Sequence, residues 1–333
     1  MKFSGCYAHG PDRAAIAAAW SGHRSHPNPP TVTKYWVDAQ PPVWDVHNML
    51  FGLRNVESSH EGPAPGRELR KEPILIQRAL CLALLLAALA AGQTRRVVAI
   101  AHRGEHLHHP ENTMPAFKEA IRLGADFIEV DVQTTADGEL VLSHDGTVNR
   151  CTDGQGKVAE MTFDQVEALD AGIKTGPEFA GTKIPTFDQV LDLARGKIGV
   201  YVDVKNASAQ DVVAHIDGHG MTDHVVIYCG FRLAKQIEEL NPRLKVMPES
   251  NTVENAKVLI GQLHPRVVAF GARDFTPEII AVVKQADAEI YVDRMGTTDA
   301  PEGWQAAIDA GADGIQSDRP GPLVEYLRQK GYK

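Results

Sequence analysis

From Val97 to the C-terminus, short β-branched and apolar runs alternate with amphipathic stretches of helical period, and this alternation constrains the fold most tightly. It specifies parallel strands joined by helical crossovers. The strand runs are Val97–His102, Phe127–Val132, Ile198–Val204, His224–Cys229, Lys245–Glu249, Val267–Gly271, Glu289–Asp293 and Gly314–Ser317. Helices are expected over Met114–Leu123, Phe187–Ala194, Phe231–Leu240, Thr252–Gln262, Pro277–Gln285 and Gly303–Ala310, among others. Eight strands in a stretch of this length make a (β/α)8 TIM-like barrel.

One further run, Leu140–Ser143, follows the second strand after only Ala136-Asp137-Gly138. A turn that short cannot carry a parallel crossover, so the two runs form an antiparallel β-hairpin arm. Centring the turn between Asp137 and Gly138 places His144 opposite Asp131 and returns it to the barrel mouth.

The residues ahead of Val97 have a different character. Residues 1–72 are rich in Pro, His, Gly and Ser, without sustained periodicity, and read as disordered. Arg67, Arg70, Lys71 and Arg78 then precede the apolar run Ala79–Ala91, which ends in small residues before Gly92 and Gln93. A basic region, a short apolar run and small residues compose a secretory signal peptide. The run is shorter than the roughly 20 residues a bilayer span takes, so no stable membrane anchor is expected. The expected division is an upstream segment 1–73, translated in error ahead of a start near Ile74 or Leu75, a signal peptide 74–92, and a barrel domain 93–333 carrying an insertion at about 145–186. The corresponding location is secreted or periplasmic. A net charge of −9 argues against nucleic acid as a partner. Cys151 and Cys229, the cysteines of the barrel domain, are two free thiols or a pair.

Chemistry in such a barrel sits at the C-terminal ends of the strands. There the sequence offers His102-Arg103-Gly104, Glu129 and Asp131, His144-Asp145 from the arm, Asp203 and Lys205, and later Glu249, Asp293 and Asp318. Glu129 and Asp131, at i and i+2, share one face of an otherwise apolar strand. Buried carboxylates need a compensating cation, and Asp203 adds a third oxygen donor. An all-oxygen set suits Ca²⁺ or Mg²⁺ over Zn²⁺. From spacing alone, neutralisation by Arg103 and Lys205 as an ion-pair network is an equal alternative. His102 and His144 reach the same mouth as a potential general acid and base for displacement at phosphorus. Arg103 can grip phosphate oxygens with its fork, and Lys205 adds a point charge. His106, His108 and His109 form a further cluster in a loop expected to be exposed. In Pro110-Glu111-Asn112-Thr113, Asn112 or Thr113 can cap the next helix, or Glu111 and Asn112 can face the mouth.

At these residues the chain resembles the glycerophosphodiester phosphodiesterases. The carrying motifs are His102-Arg103-Gly104, Pro110-Glu111-Asn112-Thr113, Glu129-Val130-Asp131-Val132, Asp137-Gly138, His144-Asp145, the Gly181–Pro185 stretch, Asp203-Val204-Lys205 and Ser317-Asp318-Arg319-Pro320. The resemblance implies a barrel that hydrolyses small glycerophosphodiesters to sn-glycerol 3-phosphate and an alcohol. It implies a divalent cation at Glu129, Asp131 and Asp203, an acid/base pair in His102 and His144, and phosphate contacts from Arg103 and Lys205. It also implies that the insertion covers the mouth and holds the glycerol end. Two departures stand out: Asp203 replaces the family's usual Glu, and the strand around Tyr291-Val292-Asp293 lacks a frequent Trp-Thr pair.

Two other readings compete. A lipid-directed phospholipase D, as in spider toxins, uses a similar histidine pair and acidic site; the polar loop Thr147–Lys157 favours a soluble substrate instead. A silent phosphate-binding barrel would have lost a histidine or an acidic ligand, and here all five positions are filled.

Overall fold

The computed structural model describes residues 95–333. The upstream segment, the signal peptide and the first residues assigned to the barrel domain lie outside the described residues. Strands β1 (Val98–Ala101), β2 (Phe127–Thr134), β4 (Gly199–Asn206), β5 (Val225–Tyr228), β6 (Lys245–Met247), β7 (Val267–Phe270), β8 (Glu289–Asp293) and β9 (Gly314–Ser317) form one parallel sheet, with β3 (Leu140–Leu142) attached to β2. Its order, β6-β5-β4-β2-β1-β9-β8-β7, brings the ends together. There the amides of Ser250 and Ala269 donate to the carbonyls of Ala269 (3.1 Å) and Pro248 (3.0 Å), which nearly closes the barrel.

The helices are α1 (Met114–Leu123), α2 (Phe163–Ala168), α3 (Phe187–Ala194), α4 (Ala209–Gly218), α5 (Phe231–Leu240), α6 (Val253–Leu263), α7 (Pro277–Gln285), α8 (Pro301–Ala310) and α9 (Pro320–Gln329). The crossover helices bury one face each against the outside of the sheet, as Phe117, Phe187 and Trp304 do. The barrel interior is filled by Ile100, Tyr201, Val226, Met247, Val267, Ala269 and Tyr291. Here a glycine matters for its size: a Cβ on Gly314 would stand 2.6 Å from the Tyr291 ring. Tyr291 therefore serves as a plug of the barrel interior, packed edge-on to Phe127 at 6.4 Å. No helix among the described residues is long and apolar enough to cross a membrane.

The hairpin arm is present, but its register differs by one residue from the expected one. Val132 pairs with Leu142, and the Ser143 amide donates to the Asp131 carbonyl at 2.9 Å, so Ser143 rather than His144 stands opposite Asp131. The reason is a three-residue loop centred on Asp137, with Gly138 left-handed at φ 96°. The Gln133 side chain then donates to the carbonyls of Ser143 (2.7 Å) and Asp145 (2.6 Å). This holds the chain where it leaves the strand, so His144 still reaches the mouth. The insertion that follows packs around its own small core of Val141, Val148, Val158, Val166, Ala171 and Ile184.

Candidate active site

At the C-terminal end of the strands lies a cavity of about 190 Å³, lined by His102, Arg103, Glu129, Asp131, His144, Asp203 and Lys205 among others. All seven residues singled out from the sequence thus meet in one place. β2 and β4 set the acidic floor. Asp131 and Asp203 are direct cross-strand neighbours, Glu129 sits two residues back on β2, and the three offer carboxylate oxygens within 4.8 Å of one another. Like charges so placed repel strongly in a low-dielectric interior. Burial, reinforced by Asp131 and Asp203, accordingly pushes the Glu129 carboxyl well above the usual carboxylate range. Burial also raises Asp203, against the pull of Lys205. Across the cavity, burial together with Glu249 and Asp203 brings Asp293 up to about 7.

Two residues of unusual backbone conformation hold this floor. Arg103 (φ 52°) and Asn112 (φ 55°) are both left-handed, a conformation costing roughly 1–3 kcal/mol in a residue with a side chain. Each places a hydrogen bond on a carboxylate. The Arg103 amide donates to Glu129 Oε2 at 2.7 Å. The Asn112 side chain donates to Asp131 Oδ2 at 2.6 Å and accepts from the Asp131 amide at 3.1 Å. Gly104 completes the turn at φ 80°, where a Cβ would stand 2.8 Å from Ala116. Asn112 is therefore a support of the floor, not a helix cap. Thr113 occupies the cap position of α1 without a side-chain capping bond, its hydroxyl donating instead to the Pro110 carbonyl.

The ion-pair alternative is present as well. The Lys205 ammonium lies 2.5 Å from Asp203 Oδ2 and 3.1 Å from Asp131 Oδ1, and Arg103 Nε lies 3.4 Å from Asp131 Oδ2. Two cations do not balance this mouth, where three carboxylates are joined by Glu249 and Asp293, and Arg103 is shared with Glu111 at 3.2 Å. Moreover Asp131 Oδ1, fully buried, accepts no aligned hydrogen bond among the described residues, the Lys205 contact included. Three carboxylates within 4.8 Å of one another, facing two cations that are shared among them and with Glu111, fit a divalent cation held by Glu129, Asp131 and Asp203.

The two histidines are supported differently. His102, at the end of β1, contacts Asp318 Oδ1 through Nδ1 at 2.7 Å, and Asp318 is anchored by its amide to Asp299 Oδ2 at 2.8 Å. Burial lowers the His102 pKa below the ordinary 6.5, against the hydrogen bond His102 donates to Asp318. His144 contacts the neighbouring Asp145 through Nδ1 at 2.8 Å. Asp145 is in turn gripped by Arg150, whose fork also holds Glu111 through bonds of 2.6 and 2.8 Å. Glu111 thus faces Arg103 and Arg150. Despite burial, which pushes it up, the Arg150 hydrogen bond keeps its carboxyl below the usual range.

The sequence reading did not foresee Arg150, Gln133 or the partnership of Asp318 with His102. Asp318 stands in the sequence as a carboxylate at a strand end and within the motif Ser317–Pro320, but with no partner indicated, and Arg150 carries no local signal. The expected exposed histidine loop is exposed in part. His108 is, whereas His106 is 17% accessible and donates from Nδ1 to the His102 carbonyl (2.7 Å). His108 and His109 both contact the buried Glu105. Cys151 and Cys229 carry free thiols, pushed by burial up to about 11 and about 12.

An Oleispira antarctica phosphodiesterase, solved with the product sn-glycerol-3-phosphate, shares the fold at a TM-score of 0.61 and 20% identity, covering 69% of this chain and 96% of that one. A glycerophosphodiester phosphodiesterase from Agrobacterium tumefaciens superposes with a TM-score of 0.63 at 28% identity, over 69% of this chain and 99% of that one. In sequence, a glycerophosphodiester phosphodiesterase of Caldanaerobacter subterraneus subsp. tengcongensis is 34% identical over 251 residues, 71% of this chain and 100% of that protein. The model of the glycerophosphoryl diester phosphodiesterase family matches residues 102–322, from the first cavity histidine into the last helix. This chain belongs to the glycerophosphoryl diester phosphodiesterase family.

Proposed function

We propose that the chain hydrolyses small glycerophosphodiesters to sn-glycerol 3-phosphate and an alcohol, with His102 and His144 as the acid/base pair. The observation that supports this most is the meeting of both histidines with the three carboxylates and Arg103 around one cavity. Glu129, Asp131 and Asp203 would hold a divalent cation, Ca²⁺ or Mg²⁺. When bound, it would supply positive charge against the negative charge that develops on phosphoryl oxygens. The Arg103 guanidinium, aimed at the mouth by its left-handed backbone, binds and orients the phosphate, and Lys205 adds a second positive charge beside the floor. Burial keeps His102 neutral near pH 7, so this imidazole accepts the proton of the attacking group while Asp318 orients the ring. His144, beside the Asp145 carboxylate, gives a proton to the leaving alcohol oxygen.

Beside the mouth a second cavity of about 170 Å³, lined by His106, Glu111, Arg150 and Lys174 among others, offers polar room for the alcohol. The exposed Leu107 and Ile173, each next in sequence to a residue lining that cavity, support lysophospholipid as a second substrate reading. Secretion is proposed on the composition of residues 74–92 and is tested by N-terminal sequencing of native protein, where residues upstream of Leu75 would refute the assigned start.

The deciding assay follows glycerol 3-phosphate release from glycerophosphocholine and glycerophosphoethanolamine, with Ca²⁺, with Mg²⁺ and with EDTA. Metal-dependent turnover that disappears in His102→Ala and His144→Ala supports the reaction and its residues. Turnover undiminished by EDTA refutes the cation at the carboxylates, and turnover of lysophospholipid alone selects the second reading.

A further inference from the structure

The mouth carries a second cluster of ligating atoms beside the acidic floor. His102, His106 and Asp318 offer ring nitrogens and a carboxylate oxygen within 4.8 Å of one another. His102 Nδ1 lies 2.7 Å and His106 Nε2 3.5 Å from the same atom, Asp318 Oδ1. The rings meet edge-on, at 88° with centroids 5.3 Å apart, so neither blocks the other's approach to that oxygen. His106 is also prepared as a ligand. Its Nδ1 contacts the His102 carbonyl at 2.7 Å, and because a carbonyl only accepts, the proton sits on Nδ1. That leaves a lone pair on Nε2, turned toward Asp318; a backbone carbonyl holding the far nitrogen is the usual support of a metal-binding imidazole. Asp318 is fixed by its amide to Asp299 at 2.8 Å.

The two clusters differ in kind. Three oxygens suit a hard cation such as Ca²⁺ or Mg²⁺, whereas two nitrogens and one oxygen with an open position suit Zn²⁺ or a related transition ion. We propose that His102, His106 and Asp318 form an inhibitory transition-metal site, distinct from the acidic floor, that takes Zn²⁺ by displacing the His102 Nδ1 proton. The ion replaces the hydrogen bond between His102 and Asp318, and the ring proton is relocated through solvent from Nδ1 to Nε2, so the imidazole stays neutral with no lone pair left to accept a proton. Bound there, Zn²⁺ holds the imidazole that the proposed reaction needs free to accept a proton, so zinc lowers turnover while the acidic floor keeps its own cation. The inhibitory effect rests on the proposed role of His102; occupancy of the site does not.

The test uses Co²⁺ as a visible probe of nitrogen ligation, added to the full-length protein in excess Ca²⁺, and Zn²⁺ in the glycerol 3-phosphate assay. The variants are His106→Ala and His106→Gln; the latter retains a side chain able to donate to the His102 carbonyl but has no ligating imidazole. The expected result is a Co²⁺ absorption band in excess Ca²⁺ that is lost in both variants. Measured against each variant's own turnover without zinc, half-inhibition requires about tenfold more Zn²⁺ or higher. A Co²⁺ band unchanged by the variants, or abolished by excess Ca²⁺, overturns the site. A variant-sensitive band in a protein without phosphodiesterase turnover upholds the site and counts against the proposed reaction alone.

Discussion

The two histidines of the mouth are held by different kinds of structure. His102 ends a barrel strand, is 13% accessible, and leans on Asp318, which arrives from the opposite end of the domain at the close of β9. His144 follows a three-residue edge strand, is 35% accessible, and leans on its own neighbour Asp145 and on Arg150 of the insertion. The first half of the site is fixed by the packed sheet, the second by polar contacts in a loop. Similar imidazole–carboxylate pairs thus depend on unlike supports: one on tertiary packing that resists movement, the other on exposed ion pairs that contribute little energy each.

The largest test removes the rings themselves. His102→Ala and His144→Ala should each lower kcat about 10²–10⁴-fold in the glycerol 3-phosphate assay, the usual contribution of a positioned acid or base. Equal losses leave the halves equivalent in chemistry and different only in support. The supports come next. Asp318→Asn should cost about 10–100-fold in kcat, as loss of an orienting partner does. Asp145→Asn should cost no more than about fivefold, since an exposed pair contributes about 1 kcal/mol or less. A larger loss at Asp145 than at Asp318 would break the comparison.

A smaller effect is read from pH. Because the folded His102 has a pKa below 6.5, its proton-accepting form persists through neutrality and is lost only as pH falls through that lowered value. The acid limb of kcat/KM is therefore expected below pH 6.5. Asp318→Asn should move it lower still, because Asp318 is the group that raises His102. A limb above 6.5, or one that rises in the variant, would assign the proton acceptor elsewhere. The smallest effect is expected from Asp203→Glu. Its added methylene alters the ratio of Ca²⁺- to Mg²⁺-supported turnover more than the better of the two rates, because Mg²⁺ is the stricter about geometry.

Much of the domain was legible in the sequence. The βα alternation marked every barrel strand to within two residues, as at β8 and β9, because buried parallel strands leave short β-branched runs between amphipathic helices. Gln133 illustrates what was not legible. Its side chain bridges two carbonyls across the arm and sets where His144 emerges, but nothing local separates it from an ordinary strand glutamine. The hairpin register shifted by one for a related reason: loops of two and three residues share the composition Asp-Gly, and the choice depends on which backbone bonds the arm can complete against β2.

By itself the sequence determined the barrel class, the arm, and the identity of the seven residues that meet at the mouth, because each follows from periodicity or from position at a strand end. Only the tertiary structure decided which of those residues support one another. Asp318 reaches His102 across 216 positions and Arg150 reaches Glu111 across 39, contacts that exist only once β1 lies between β9 and β2 in the sheet. The physical reason is range: backbone pattern is a local property, readable residue by residue. The partner of a buried charge is whatever the fold brings within hydrogen-bond distance.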